Sequence, residues 1–335
     1  KEQGFNAFAY HGAMSSKDRQ KNQEKFIYQE NVIMVATIAF GMGIDKPDVR
    51  FVAHLNIPKN IEAYYQETGR AGRDGLPADA WMCYGMQDVV MQRNFIQESG
   101  ADENQKRIEM QKLNSLLGLC EASNCRRQIL LKYFGEENSQ PCGNCDICQN
   151  PPQTFDGTIA SQKAISCAYR TGQIFGVAYL IDVLLGAEDQ RIQNFNHNQI
   201  STFGIGKEFS KVEWQNIFRQ LVAMDLLVVD IAGHGGIKIT KQGQEFLRDK
   251  KRIIQFRKYE KVAKDRVVKA LSAKAILELE GEAENVLFTK LKAKRLEISK
   301  AHNLPPYIIF HDKTLVEMVK LKPKNFDEML KISGV

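Results

Sequence analysis

The chain has 335 residues, 43% of them hydrophobic, 26% charged and 9% aromatic, the composition of a folded globular protein. At about 100–200 residues per domain, that length accommodates two or three domains with ample core. A mean hydropathy of −0.36, with the longest apolar run broken by Asp182, excludes a membrane span of about 20 residues, and no basic-then-apolar leader opens the sequence.

Seven cysteines, three of them inside one seven-residue window, do not make a secreted disulfide framework. They predict a cytoplasmic chain with a metal site. Charge is unevenly placed. Of the net +6, residues 238–274 carry +9 and residues 284–324 carry +5, which leaves −8 on the remainder. A basic back half predicts a polyanion partner there, with a plain solvated surface as the alternative.

From residue 1 to about 100 the pattern alternates strand and helix. Residues 6–10 read as a short strand and 15–29 as a polar helix. The continuous apolar run at 32–37 is what a strand buried on both faces requires. Residues 50–55 and 80–84 are further strands, and 60–71 a helix capped by Asn60. This is half of a parallel α/β domain. Residues 101–134 are helical in pattern and lead into the cysteine cluster, which stops at Asn150-Pro151-Pro152. Helices then lead to two short β runs, 225–230 and 237–240, around a Gly-rich turn at 233–236. A charged stretch at 249–283 reads as a basic linker, and 284–335 as a small helical unit.

Three motifs carry chemistry. Cys142, Cys145 and Cys148 form C-x-x-C-x-x-C, and Cys125 upstream completes four thiolates for one tetrahedral ion, with Cys120 as a possible substitute. Four protein ligands leave no open position, so the site is expected to be structural; zinc is favoured over an iron–sulfur cluster or free thiols. Cys83 and Cys167 lie in apolar runs and are expected to be buried thiols. The second motif, residues 66–75 (QETGRAGRDG), places Arg70 and Arg73 on one side of a helix end among small residues. Guanidinium forks there suit phosphate and can neutralise charge on a transferring phosphoryl group. In the third, residues 36–47 (ATIAFGMGIDKP), a buried strand empties into a Gly-rich loop at the sheet's carboxyl end, where α/β folds bind ligands. Asp45 there can orient an arginine, or serve only as a cap or salt-bridge partner.

Together these residues resemble the RecQ family of ATP-dependent DNA helicases. Tyr10-His11-Gly12 is similar to the family's motif IV region, residues 37–47 to motif V and residues 66–75 to motif VI. The four cysteines match its zinc subdomain in order and spacing. Phe175-Gly176, Tyr179-Leu180, Asp182-Val183-Leu184, Gly186, Arg191-Ile192, residues 204–207 (GIGK), Trp214 and Arg219-Gln220-Leu221 resemble its winged helix. The basic end resembles the start of its HRDC module. The resemblance implies a multidomain chain: a partial RecA-like α/β lobe (1–100), a helical zinc-binding subdomain (101–152), a winged helix (153–248), the basic linker (249–283) and a partial HRDC-like unit (284–335).

It further implies a 3′-to-5′ DNA helicase in DNA repair, recombination and the SOS response. Arg73 is then the arginine finger on ATP held by a first RecA-like lobe, with Arg70 assisting. Gln66, Asp45 and Gly43 would lie on the nucleotide side, and Thr37 on the single-strand backbone. Lys207, Ser210, Lys211 and Arg219 would contact duplex, and His234 the duplex junction, although a turn histidine is more often merely solvated. Trp214, Ile217 and Leu221 fall at helical core spacing, so Trp214 is expected to pack. Cys125, Cys142, Cys145 and Cys148 would hold zinc; ATP and Mg belong to the complete enzyme. Expected partners are forked, branched or single-strand-extended DNA, the first lobe and a single-strand-binding protein, with no membrane and a nucleoid location.

The sequence contains no G-x-x-x-x-G-K-[ST] loop and no Asp-Glu-x-His box, both of which the family carries in its first lobe. The chain is therefore expected to be a piece of a helicase, opening inside the second lobe, ending inside the HRDC unit and inactive alone. The alternatives are a zinc and winged-helix DNA-binding protein without ATPase activity, or a scaffolding fragment that docks a separate first lobe.

Overall fold

The apolar run at 32–37 forms β2 (Ile33–Ala36), paired in parallel with β1 (Ala7–Tyr10) so that Ala7 lies opposite Ile33 and Tyr10 opposite Ala36. In the computed structural model, residues 4–41, 44–137, 140–230, 235–249, 253–258 and 281–335 are described. They divide into two units. The first takes the described residues of Lys1–His54, Tyr65–Met82 and Val262–Val335; the second takes those of Leu55–Tyr64 and Cys83–Lys261.

In the first unit, α1 (Ser16–Tyr28) makes the crossover between β1 and β2 and starts where the Ser15 side chain accepts from the Asp18 amide at 3.1 Å. A second parallel pair is β3 (Phe51–His54) with β4 (Asp79–Met82); α2 (Ile61–Thr68) falls between them in sequence and belongs to this unit from Tyr65 onward. The basic end of the chain folds as α12 (Glu282–His302), α13 (Pro306–Ile309), α14 (Asp312–Leu321) and α15 (Phe326–Met329). Phe288, Leu315, Met318, Val319 and Ile332 form its core.

The second unit begins with α3 (Met86–Glu98) and α4 (Glu103–Glu121), where Leu113, Leu116 and Leu117 bury one stripe. Two short helices, α5 (Arg126–Tyr133) and α6 (Asp146–Gln149), bracket the cysteine cluster. Beyond it come β5 (Thr154–Asp156), α7 (Thr158–Arg170), α8 (Val177–Leu185), α9 (Gln190–Asn194) and α10 (Lys211–Ala223). The hairpin β6 (Leu227–Asp230) and β7 (Gly236–Ile239) follows, then α11 (Lys241–Arg248). Trp214, Ile217 and Leu221 are buried, as their helical spacing predicts, with Phe218 buried beside them, and Trp214 donates its indole N–H to the Gly206 carbonyl at 2.8 Å. A Cβ on Gly206 would come within 2.8 Å of that indole, which is why the turn before α10 carries glycine.

Three features depart from the sequence pattern. The apolar run that forms β2 is not buried on both faces: Ile33 and Met34 are half-buried, Val35 is 58% exposed and Ala36 is exposed, because β2 pairs only with β1 among the described strands and an apolar run marks a strand without saying what covers it. Cys167 is buried, but Cys83 is exposed: it sits just past β4, and its thiol donates to the Leu55 carbonyl at 3.3 Å. Within the stretch read as linker, β8 (Gln255–Arg257) pairs antiparallel with β5 and buries Phe256 completely. A three-residue strand among lysines and arginines has too few apolar positions to show a period.

Candidate functional site

The loop after β2 and the turn after α2 meet. Arg70 donates to the Gly41 carbonyl, and Arg73 pairs with Asp45 while its Nε donates to the Gly69 carbonyl at 3.2 Å. Arg73 keeps 41% of its side chain exposed and Asp45 keeps 82%, so this surface pair orients the fork more than it stabilises the fold. The turn is built to hold that position. Gly72 has φ +69° and donates to the Val49 carbonyl at 2.9 Å, and a Cβ there would press to 3.0 Å on the Leu76 carbonyl. Arg50 locks the same turn, reaching the fully buried Asp74 carboxylate at 2.5 Å. His54 in β3 meets Glu67 in α2 at 2.6 Å.

Gln66 and Thr37 are exposed on the same two segments, and Ile38 beside Thr37 is 90% exposed. Gly43 lies outside the described residues, as does His234. Arg50, His54 and Glu67 were missed by sequence reasoning. Arg50 had the one usable signal, a cation opening a strand just before the arginine-bearing turn.

Sγ atoms of Cys125, Cys142, Cys145 and Cys148 lie within 4.8 Å of one another, with Cys142 and Cys148 at 3.9 Å. A zinc–sulfur bond of about 2.3 Å implies tetrahedral S···S edges of about 3.8 Å, so the donor set fits such an ion. Amide N–H groups already point at the sulfurs: Cys142 donates to Cys125 and Cys145 to Cys142, each at 3.3 Å. Burial opposes ionisation of Cys125, yet the Cys142 and Gln128 amides and the neighbouring thiols outweigh it and hold this thiol at about 6. Arg126, next to Cys125, forks onto Asp146, next to Cys145, at 2.6 and 2.8 Å, so the two halves of the cluster are clamped together. Cys120 lies outside the cluster, and burial pushes its thiol up to about 12.

On the winged helix, Ser210 caps α10 in a reciprocal box with Glu213, whose carboxylate accepts from Ser210 at 2.7 Å. Those backbone and hydroxyl bonds hold the Glu213 carboxyl below its ordinary value. Lys211 is half exposed and paired with Asp182 at 2.9 Å; Lys207 is exposed. Arg219 faces inward, 2.5 Å from Glu121 of α4, with its guanidinium 5.6 Å from the Tyr84 ring. Among these cations, then, Lys207 and Lys211 share the α10 entrance, while Arg219 is engaged at the α4 junction.

No described helix is long and apolar enough to cross a membrane. Compared with known families, the chain matches the helicase conserved C-terminal domain over residues 1–75, RecQ zinc-binding over 86–149, the RQC domain over 151–265 and the HRDC domain over 284–335. It is 39% identical, over its whole length, to an ATP-dependent DNA helicase RecQ of Haemophilus influenzae, of which it spans 53%. It is 35% identical over 97% of its length to the protein of the same name from Bacillus subtilis, of which it spans 52%. A RecQ-like DNA helicase BLM of Xenopus laevis is 36% identical over 66% of the chain, which covers 18% of that protein. The chain thus spans about half the length of its bacterial relatives. Four family domains in order, with helicase relatives along the whole sequence, show that this chain belongs to the RecQ family and carries its C-terminal domains.

Proposed function

We propose that the chain is the C-terminal portion of an ATP-dependent 3′-to-5′ DNA helicase acting in DNA repair and recombination. Its part is to supply an arginine finger, a structural zinc site and a duplex-binding module. The observation that carries this reading is the meeting of the two glycine-bearing loops, where Arg73 is anchored by Asp45 and the Gly69 carbonyl yet leaves part of its fork open. A module that only bound DNA would have no use for an arginine so presented. ATP and Mg would be held by a first RecA-like lobe, in the same polypeptide or supplied separately, and this chain alone would not hydrolyse ATP. Arg73 would meet the γ-phosphate as charge develops on it, Arg70 would hold the loop, and Gln66 and Asp45 would keep the pair in register.

Cys125, Cys142, Cys145 and Cys148 would hold zinc, which would supply folding energy and take no part in the reaction. Lys207 and Lys211 are the proposed phosphate contacts on duplex, fixing position without reading sequence. Arg219 is proposed as a staple between α4 and α10. The test is Arg73→Ala in the ATP-hydrolysing protein. DNA-stimulated turnover is expected to fall by about 10²–10⁵ while DNA affinity stays within about twofold. Undiminished turnover would overturn the finger assignment.

A further inference from the structure

Lys46 follows Asp45 in the loop described above, and its buried ammonium lies within 6 Å of two aromatic ring centroids. One is Phe26 of α1, 5.8 Å away; the other is Tyr307 of α13, at 5.7 Å. Asp48 is its carboxylate partner at 3.2 Å. A desolvated cation gains from facing aromatic rings, so the second ring matters to this loop. Burial, with Asp45 and Asp48 close by, raises the Tyr307 phenol, as expected for a ring seated against these carboxylates.

A second contact lies at the end of α1. Arg295 of α12 places Nη2 at 2.6 Å from Glu30 and 2.8 Å from Asp312. Lys292 reaches the same two carboxylates at 3.3 and 3.6 Å. Arg295 is only 2% exposed and also donates to the Phe310 carbonyl at 2.7 Å. Asp312 and Phe310 would hold Arg295 within its own helical unit. Glu30 is different: among the described residues, its ion pairs are those to Arg295 and Lys292. Both of those ion pairs join the end of α1 to the helical unit.

We propose that the helical unit of residues 282–335 docks on the α/β part through Glu30 and Lys46 and thereby braces the loop that carries Asp45. Arg295 and Tyr307 are positioning residues for the Asp45–Arg73 pair, a role that deepens the reading of that pair given above. Whether the unit is seated or lifted is felt at the arginine, through Lys46 and its neighbour Asp45.

The test uses this chain with Glu30→Lys, which sets a third cation against Arg295 and Lys292, read by hydrogen–deuterium exchange without nucleotide. Amides of residues 44–50 and 305–312 are expected to exchange about fivefold or more faster, while β1, β2 and the core of α14 keep their protection. Adding Lys292→Glu restores an ion pair of opposite sense and is expected to return both segments to wild-type rates. Tyr307→Leu is expected to speed exchange at 44–50 alone. Unchanged exchange at both segments in Glu30→Lys overturns the proposal. So does general loss of protection across α1 and β1–β2 that Lys292→Glu fails to reverse. Because no ATP is involved, these results stand apart from whether Arg73 acts in hydrolysis.

Discussion

Arg219 and Glu121 meet at 2.5 Å where α10 packs on α4, with Glu121 only 7% exposed and Tyr84 donating its hydroxyl to the same carboxylate. A cation that belongs to the recognition helix by sequence is spent on an internal carboxylate. Arg219→Ala leaves that carboxylate buried and short of its counter-charge. Removing one partner of a fully buried pair costs about 3–5 kcal/mol, and the one-third exposure of Arg219 reduces this to about 1–3 kcal/mol. The thermal midpoint is expected to fall by about 2–12 °C, with the salt dependence of DNA binding unchanged. An unchanged midpoint with a salt slope lower by about one would instead make Arg219 a phosphate contact.

Thiol chemistry separates the cysteines. Cys83 is exposed and is expected to react first with an aromatic disulfide reagent; Cys120 and Cys167, both pushed up to about 12 by burial, are expected to react only on unfolding. In zinc-loaded protein the four clustered thiols should be protected, and a strong chelator should release one ion per chain and expose all four. Residues 120–150 should then lose amide protection, since a structural ion supplies folding energy there. Four thiols that react at the rate of Cys83 before chelation would mean that the cluster holds no ion.

What could be read ahead of the structure was whatever depends on neighbours in sequence. The spacing of Cys142, Cys145 and Cys148 is itself the geometry of a turn, and the period of Trp214, Ile217 and Leu221 is itself a helix face. The glycines around Arg70 and Arg73 announced a close approach for the same reason. Nothing local says which carboxylate a cation will meet. Arg219 finds Glu121, Arg50 finds Asp74 and Arg126 finds Asp146 only because the fold brings distant segments together. Cys83 was misread because an apolar run says that a strand exists and not where it ends.

Acid should weaken the start of α10 in a defined direction. The Glu213 carboxyl is lowered below its ordinary 4.5 by the Ser210 bonds, so its contribution to stability is complete above that value. It is lost as pH falls through the lowered folded value. Ser210→Ala should cost about 1 kcal/mol at pH 7. Glu213→Gln keeps an acceptor but not the charge, and should make the fall of the thermal midpoint below about pH 5 shallower than in the wild type. Identical pH profiles would show that the box contributes no charge-dependent stability.

Lys207 and Lys211 give the last expectation, because they differ in what they must give up. Lys207 is exposed, whereas Lys211 is held by Asp182 at 2.9 Å with 54% of its side chain still in solvent. A surface pair of that kind is worth about 0–1 kcal/mol, little enough for a phosphate to replace the carboxylate. Each phosphate contact contributes about 0.9 to the slope of log affinity against log salt on duplex DNA. Lys207→Ala and Lys211→Ala should each lower that slope by about one, with no change in sequence preference. Asp182→Asn should move the other way: it frees Lys211 at no cost to the DNA side and should tighten duplex binding severalfold at low salt, fading as salt rises. Unchanged slopes in both lysine variants, measured by titration of a labelled blunt duplex, would place the duplex on another face of the winged helix and remove the α10 entrance from the proposed interface.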